Sequence, residues 1–369
     1  MKYKSIYVAA TSQHVGKTTS TLGLVATFMD MGLKVGYCKP VGQKSLTYNN
    51  IEVDKDAVLF SDLMKFQLHA AIHSPVILGK GATAAFIDSP DEFSYHEKII
   101  FAKDHLEKEN ELVIYEGTGH PGVGSIVNLS NAEVAKMTNS GVVMVVEGGI
   151  GSTIDMLALC IAKFKMDQVP IVGVIINKVK PDKLEKVSHY VGKYLSQQGL
   201  PLLGVLPYDK SLAFPLITTV ARAIRGEIIY NKEKAFNKVA EILPGSLITL
   251  AEFKNHPKDS LLVVAADKVN NAIERIKTLS NILNLENSPL SGIVATGDGA
   301  FNKSSVEYIK SHAIPVIRTS LDTYGSVLKI SRIEVKINLS TPWKVRRAIE
   351  LITTNVNTDA LLMSTEKGS

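Results

Sequence analysis

Gly16-Lys17-Thr18, Lys39, the pair Asp54 and Asp56, and Glu116 are the residues whose types and spacing suit chemistry on a phosphate. A lysine after a glycine, at the start of a helix, reaches the outer phosphates of a nucleotide, and the next hydroxyl binds Mg²⁺. Backbone N–H groups of the loop supply the remaining contacts. The elements that must position these groups are present. Ile6 to Ala10 is a short apolar run that predicts a buried strand. After the loop, Leu22, Val25, Ala26 and Met29 recur at helical spacing, and Gly32 stands where the helix should end. The common pattern G-x-x-x-x-G-K-[ST] asks for glycine at position 11, where this chain has Thr11 after Ala10.

The other candidates sit at strand ends. Lys34 to Pro40, K-V-G-Y-C-K-P, reads as a second strand whose proline stops the ladder and leaves Lys39 extended at its carboxyl end. Ligands of open α/β sheets bind at that edge, so Lys39 is a candidate for substrate or phosphate contact; the plainer reading is a lysine facing solvent. Asp54 and Asp56 precede a helix expected from Ala57 to Leu68. Carboxylates there serve as caps or, facing the loop threonine, as Mg²⁺ ligands, and the sequence leaves both readings open. Glu116 closes the apolar run Leu112 to Tyr115, where a metal-binding or water-activating carboxylate is expected. The loop behind it carries glycines at 117, 119, 122 and 124, which lets backbone approach a ligand closely.

The rest of the chain alternates. Strands are expected at Val142 to Val146, Pro170 to Ile176 and Pro201 to Leu206, with helices at Asn128 to Met137, Ser152 to Lys163 and 182–198. This predicts an α/β fold with a parallel sheet covered on both faces. Residues 43–57 read as a polar loop and 78–88 as a mobile connection. Composition shifts at Leu212-Ala213-Phe214-Pro215, and strands then recur at Leu261 to Ala266, Gly292 to Ala295 and Pro315 to Arg318, with helices between them and a last one from Pro342 to Ile352. The expected organisation is therefore a P-loop domain over residues 1–212, a smaller α/β domain over 213–357, and a frayed polar tail over 358–369.

Bulk composition excludes several classes. With 45 % hydrophobic and 21 % charged residues, the chain has the make-up of a folded globular protein. A net charge of +5 is spread along 369 residues, with no basic run interleaved with aromatics, so nucleic-acid binding is not expected. Its two cysteines, Cys38 and Cys160, lie in apolar runs and read as buried thiols of a reducing compartment. No Cys/His group has zinc spacing. The N-terminus runs straight into the strand expected at Ile6 to Ala10, so no signal peptide is expected, and no apolar run reaches membrane-spanning length. The expected location is cytoplasmic, with no membrane association.

Three stretches together resemble a known family. T-S-Q-H-V-G-K-T at 11–18 resembles the T-x-x-x-V-G-K-T loop of dethiobiotin synthetases. G-Y-C-K-P-V at 36–41 resembles their G-Y-x-K-P-V strand end, and Y-E-G-T-G at 115–119 their E-G-x-G. The wider group takes in cobyrinic acid a,c-diamide synthases and the amino-terminal region of long phosphate acetyltransferases, where such a domain precedes a "DRTGG" domain. Residues 213–357 resemble that second domain, with V-A-T-G-D-G-A-F at 294–301 standing where G-D-R-T-G-G lies.

The resemblance implies ATP and Mg²⁺ as ligands. It implies Thr11, Val15, Gly16, Lys17, Thr18 and Thr19 as the phosphate loop, with Thr18, Asp56 and Glu116 around Mg²⁺ and Asp54 as competitor to Asp56. Lys39 matches the lysine that contacts the substrate carbamate and, with Lys17, is a candidate catalytic residue. Asn177 matches the reader of adenine, and Pro207 begins the loop over the base. A homodimer is implied by analogy. The chain departs from the family at Ala9-Ala10, in the altered loop 116–125, and at Gly299-Ala300-Phe301, which replace the arginine and final glycines of the second motif. Dethiobiotin synthetases are also single-domain, and residues after 357 do not read as an acetyltransferase catalytic domain.

Two functional readings follow. In the first, the chain is an Mg-ATP-binding regulator or sensor that binds nucleotide tightly and hydrolyses it slowly. In the second, it is an ATP-dependent ligase that activates a carboxylate or carbamate as a mixed phosphate anhydride, with Lys39 holding the acceptor in line. A partitioning-type ATPase is disfavoured, because positions 9 to 15 hold no lysine and His14 is their one ionisable residue. GTP is disfavoured by the absence of N-K-x-D, since Asn177-Lys178-Val179 runs on to Lys180.

Overall fold

Apolar runs without polar alternation need cover on both faces, and the structure supplies it. The computed structural model describes residues 4–245, 249, 250, 253 and 258–364. The chain divides into two units, one running up to Asp209 and resuming at Ile337, the other being Lys210–Lys336.

In the first unit, β1 (Ser5–Ala10) leads into α1 (Lys17–Asp30), followed by β2 (Val35–Cys38), β3 (Val41–Gly42), β4 (Ser45–Tyr48), β5 (Ile51–Asp54) and α2 (Lys55–Met64). Next come α3 (Ala70–His73), β6 (Val76–Ile77), α4 (Ala82–Asp88), α5 (Tyr95–Glu109), β7 (Leu112–Glu116) and α6 (Asn131–Met137). The alternation ends with β8 (Gly141–Glu147), α7 (Gly151–Met166), β9 (Ile171–Val179), α8 (Leu184–Gln197) and β10 (Leu202–Pro207). The main sheet runs β10-β9-β8-β1-β7-β2, every pair parallel. Each strand splits its side chains between two cores. Tyr7, Val113, Tyr115, Val142 and Met144 pack under α5 to α8, whereas Ile6, Val8, Ile114, Val143 and Val145 pack under α1 and α2.

The second core is completed by the chain's end. α13 (Pro342–Asn355) lies along α1, with Ala348 and Ile352 fully buried. A Cβ on Gly23 would overlap the Ile352 side chain, so glycine is what lets the two helices approach. This differs from the expected grouping of 342–352 with the second domain. The physical reason is that α1 is covered from two sides, by the sheet and by α13, which leaves Leu22, Leu24, Val25 and Phe28 buried while Met29 is exposed. The expected frayed tail is also corrected: α14 (Thr358–Ser364) is helical and buries Leu361 against the same core. Residues 365–369 of that expectation lie outside the described residues.

The expected loop at 43–57 is in part the hairpin β4–β5, turned by Asn49 and Asn50. Both asparagines have positive φ, the combination a two-residue hairpin turn needs. The expected connection at 78–88 holds α4, a helix with no buried residue and hence no periodic apolar signal.

The second unit holds α9 (Ile217–Ala223), β11 (Glu227–Tyr230), β12 (Glu241–Pro244), β13 (Ser260–Ala265) and α10 (Val269–Ile282). It continues through β14 (Leu290–Thr296), α11 (Lys303–Ser311), β15 (Val316–Thr319) and α12 (Thr323–Ser331). Its sheet runs β11-β15-β14-β13-β12, parallel except for the edge strand β11. α10 and α11 cover one face, α9 and α12 the other. Among the described residues no helix is long and apolar enough to cross a membrane.

Candidate functional site

The loop between β1 and α1 is built on Gly16. Its φ of 108° is open to glycine, and a Cβ there would overlap the Asn177 amide. Asn177 Nδ2 donates to Val15 O at 2.8 Å, and Lys178 N donates to Asn177 Oδ1 at 2.8 Å. Both ends of this amide are thus engaged with backbone. The reading from resemblance gives Asn177 to adenine; in the structure its side chain braces the loop. α1 has Gly16 as its N-cap with no side-chain cap, a helix start whose first-turn amides and positive dipole end suit an anion. Thr11 is buried and donates its N–H to Val145 O at 3.1 Å, which ties the loop's start to β8. Thr19 lies half-buried in the first turn, and His14 is exposed with a φ of 61°.

Lys17 is buried and stretches across the sheet end. Its Nζ donates to Ser12 O at 3.1 Å and to Gly119 O at 2.9 Å, so it links the phosphate loop to the glycine-rich loop after β7. Thr18 Oγ1 donates to Glu116 Oε1 at 2.9 Å. Glu116 is 1 % exposed and also accepts from Lys39 Nζ at 3.0 Å and from Tyr37 OH at 3.4 Å. Lys39 Nζ has two further partners, Gly117 O at 3.0 Å and Asp56 Oδ2 at 3.3 Å. Lys39 is therefore no solvent lysine.

Electrostatics explains why these charges persist in the core. Burial alone would push Lys39 down, but Glu116, Asp56 and Asp54 outweigh it and hold the ammonium well above its ordinary range. Burial pushes the Glu116 carboxyl up, opposed by Lys39 and by the Thr18 hydrogen bond. The two aspartates take different places. Asp54 is the cap of α2, its Oδ1 accepting from Asp56 N at 2.9 Å, while the Asp56 carboxylate faces Lys39. Thr18, Asp56 and Glu116 offer only hard oxygen donors, the set that suits Mg²⁺. Pro207 ends β10 beside Val179, and Asp209 just beyond it pairs with Arg347 of α13.

Sequence reasoning missed the residue that shapes the glycine-rich loop. Asn131 Oδ1 accepts from Tyr7 OH at 2.8 Å and from Thr118 N at 3.0 Å, and its Nδ2 donates to Thr118 O at 2.8 Å and His120 O at 2.6 Å. A signal was available, because Ser130 and Glu133 form a capping box that fixes Asn131 as the first residue of α6. Tyr37 carried no such signal: its place beneath Glu116 comes from stacking on Phe60 at 3.7 Å across the fold.

The model of the AAA domain family matches residues 4–215. The chain belongs to that family. The P-loop NTPase domain is accompanied by likeness to larger proteins. A phosphate acetyltransferase of Synechocystis sp. is 19 % identical over 97 % of this chain and 51 % of its own length. The ATP-dependent dethiobiotin synthetase of Thermodesulfovibrio yellowstonii is 27 % identical over 55 % of this chain and 88 % of its own. A probable cobyric acid synthase of Methanocaldococcus jannaschii is 25 % identical over 57 % of this chain and 46 % of its own. The chain spans about half the length of the phosphate acetyltransferases it matches.

Proposed function

We propose that this P-loop protein binds Mg-ATP in a regulatory or sensor role, as the amino-terminal region of a phosphate acetyltransferase-like protein would. The observation that carries the reading is the position of Lys17, whose ammonium joins Ser12 O to Gly119 O. A phosphate bound at the start of α1 competes for that ammonium. Nucleotide occupancy then acts on the loop 117–124, which is a switch by change of local charge partners. Mg²⁺ would be held by Thr18, Asp56 and Glu116 and would supply charge neutralisation on the phosphates. The chain's own residues do the rest: Gly16 admits the phosphates, Asn177 holds the loop in shape, and Asn131 defines the loop that responds. The region read as 213–357, less the helix that joins the first unit, is taken as a DRTGG-like domain, and the assembly as a homodimer.

The likeness to the dethiobiotin synthetase, over most of that protein's length, favours a second reading as a ligase. Lys39 would then hold the acceptor beside the transferred phosphoryl group.

The deciding experiment is calorimetry with Mg-ATP alongside ADP release, alone and against small diamines, carboxylates and bicarbonate. The sensor reading expects binding that Lys17→Ala abolishes, with no stimulated turnover. A panel member that raises turnover roughly tenfold, about 1.4 kcal/mol of barrier, sinks the sensor reading in favour of the ligase.

A further inference from the structure

We propose that the Lys39 ammonium is the resident counter-ion of the Asp56 and Glu116 carboxylates, displaced from them when a divalent cation enters the site. The inference rests on the Mg-ATP reading above and adds to it an internal cation that competes with the metal.

The argument starts from inventory. Three buried carboxylates, Asp54, Asp56 and Glu116, act on the buried Lys39 ammonium. An ammonium has three N–H donors and no acceptor. Those of Lys39 have three acceptors within reach: Glu116 Oε1, Gly117 O and Asp56 Oδ2. Thr18 donates to the same Oε1 of Glu116 that Lys39 uses. The oxygens that suit a divalent cation are therefore gathered about Lys39 Nζ.

Charge shows why the arrangement is exchangeable. A divalent ion brings these carboxylates twice the charge of one ammonium. Two cations on the same carboxylates repel each other in a buried site, so metal entry drives the ammonium off. The backbone of Lys39 stays in place, its N–H bonded to His73 O at 2.9 Å and Pro40 behind it. The movement therefore falls to the side chain, whose flexible four-carbon stem can carry the ammonium away.

The test uses the full chain with Mn²⁺ as probe, bound ion being counted by electron paramagnetic resonance without nucleotide. Lys39→Met should bind Mn²⁺ roughly tenfold or more tighter than wild type, a modest share of one removed charge–charge repulsion. Glu116→Gln should weaken Mn²⁺ in both backgrounds. Because Lys39→Met removes a counter-charge from the acids, the double variant Lys39→Met/Asp54→Asn is measured beside it and should move in the same direction. In wild type, reductive methylation of Lys39 read by mass spectrometry should rise when Mg²⁺ is added alone. Mn²⁺ binding that is unchanged or weaker in both Lys39 variants, with Lys17-dependent Mg-ATP binding intact, overturns the inference and leaves the nucleotide reading standing. Absence of Mg-ATP binding in wild type overturns both.

Discussion

Gly23→Ala tests whether the end of the chain is part of the nucleotide-binding unit. Gly23 lies in the middle of α1, where replacing glycine by alanine on an open face stabilises a helix by about 0.5–1 kcal/mol. Here the added methyl would overlap Ile352 of α13, with Cγ2 at 2.9 Å and the inner side-chain atoms closer still. Because the overlap includes the Ile352 Cβ, no rotamer change relieves it and the helices must part. Overpacking of this kind costs about 1–3 kcal/mol. Re-exposing part of Ile352, worth about 1.5–3 kcal/mol when fully buried, adds to it. The expected net effect is a loss of about 1–3 kcal/mol. Hydrogen exchange should speed up over both 17–30 and 342–355, and the urea midpoint of the first unit should fall. Mg-ATP affinity should drop as well, because α1 carries Lys17 and Thr18. A variant with a raised midpoint and slower exchange over 17–30 would refute the docking of α13, since an uncovered α1 gains from alanine.

Other outcomes follow from the same geometry. Asn131→Ala removes four hydrogen bonds, three of them buried, and should cost about 3–5 kcal/mol, with proteolysis appearing first within 117–124. Gly16→Ala meets both a φ of 108° and the Asn177 amide, so it should abolish nucleotide binding in calorimetry while circular dichroism stays native. Burial pushes His73 down to about 4 from an ordinary 6.5, so the fold favours its neutral form. The stability this contributes, about 3 kcal/mol, is present above pH 6.5 and lost as pH falls from there towards 4. His73→Phe retains a ring against Phe66 and should flatten the acid limb of a urea-midpoint profile.

The sequence by itself determined the main sheet and the edge at which its candidate site residues gather. Fully buried parallel strands must be continuous apolar runs, so β1, β7, β8 and β9 were legible as such, and Gly16-Lys17-Thr18 fixed the phosphate loop between β1 and α1. Strand ends then named Lys39 and Glu116 as neighbours of the loop, because parallel strands deliver their carboxyl ends to one edge. Local chemistry could go no further than pairing residues a few positions apart. It left Asp54 and Asp56 unresolved, since which of two carboxylates caps a helix depends on what the other one faces, and Lys39 lies many residues away.

Only tertiary structure decided the rest. It set Asn131 beneath the glycine-rich loop, turned Asn177 onto the loop backbone, and brought α13 back to α1. These contacts join residues separated by tens to hundreds of positions, and their energy comes from burial and from satisfied polar groups, neither of which has a periodic signature in the chain. Gly23 illustrates the limit: its residue type records that something packs closely there, and the fold alone identifies that neighbour as Ile352.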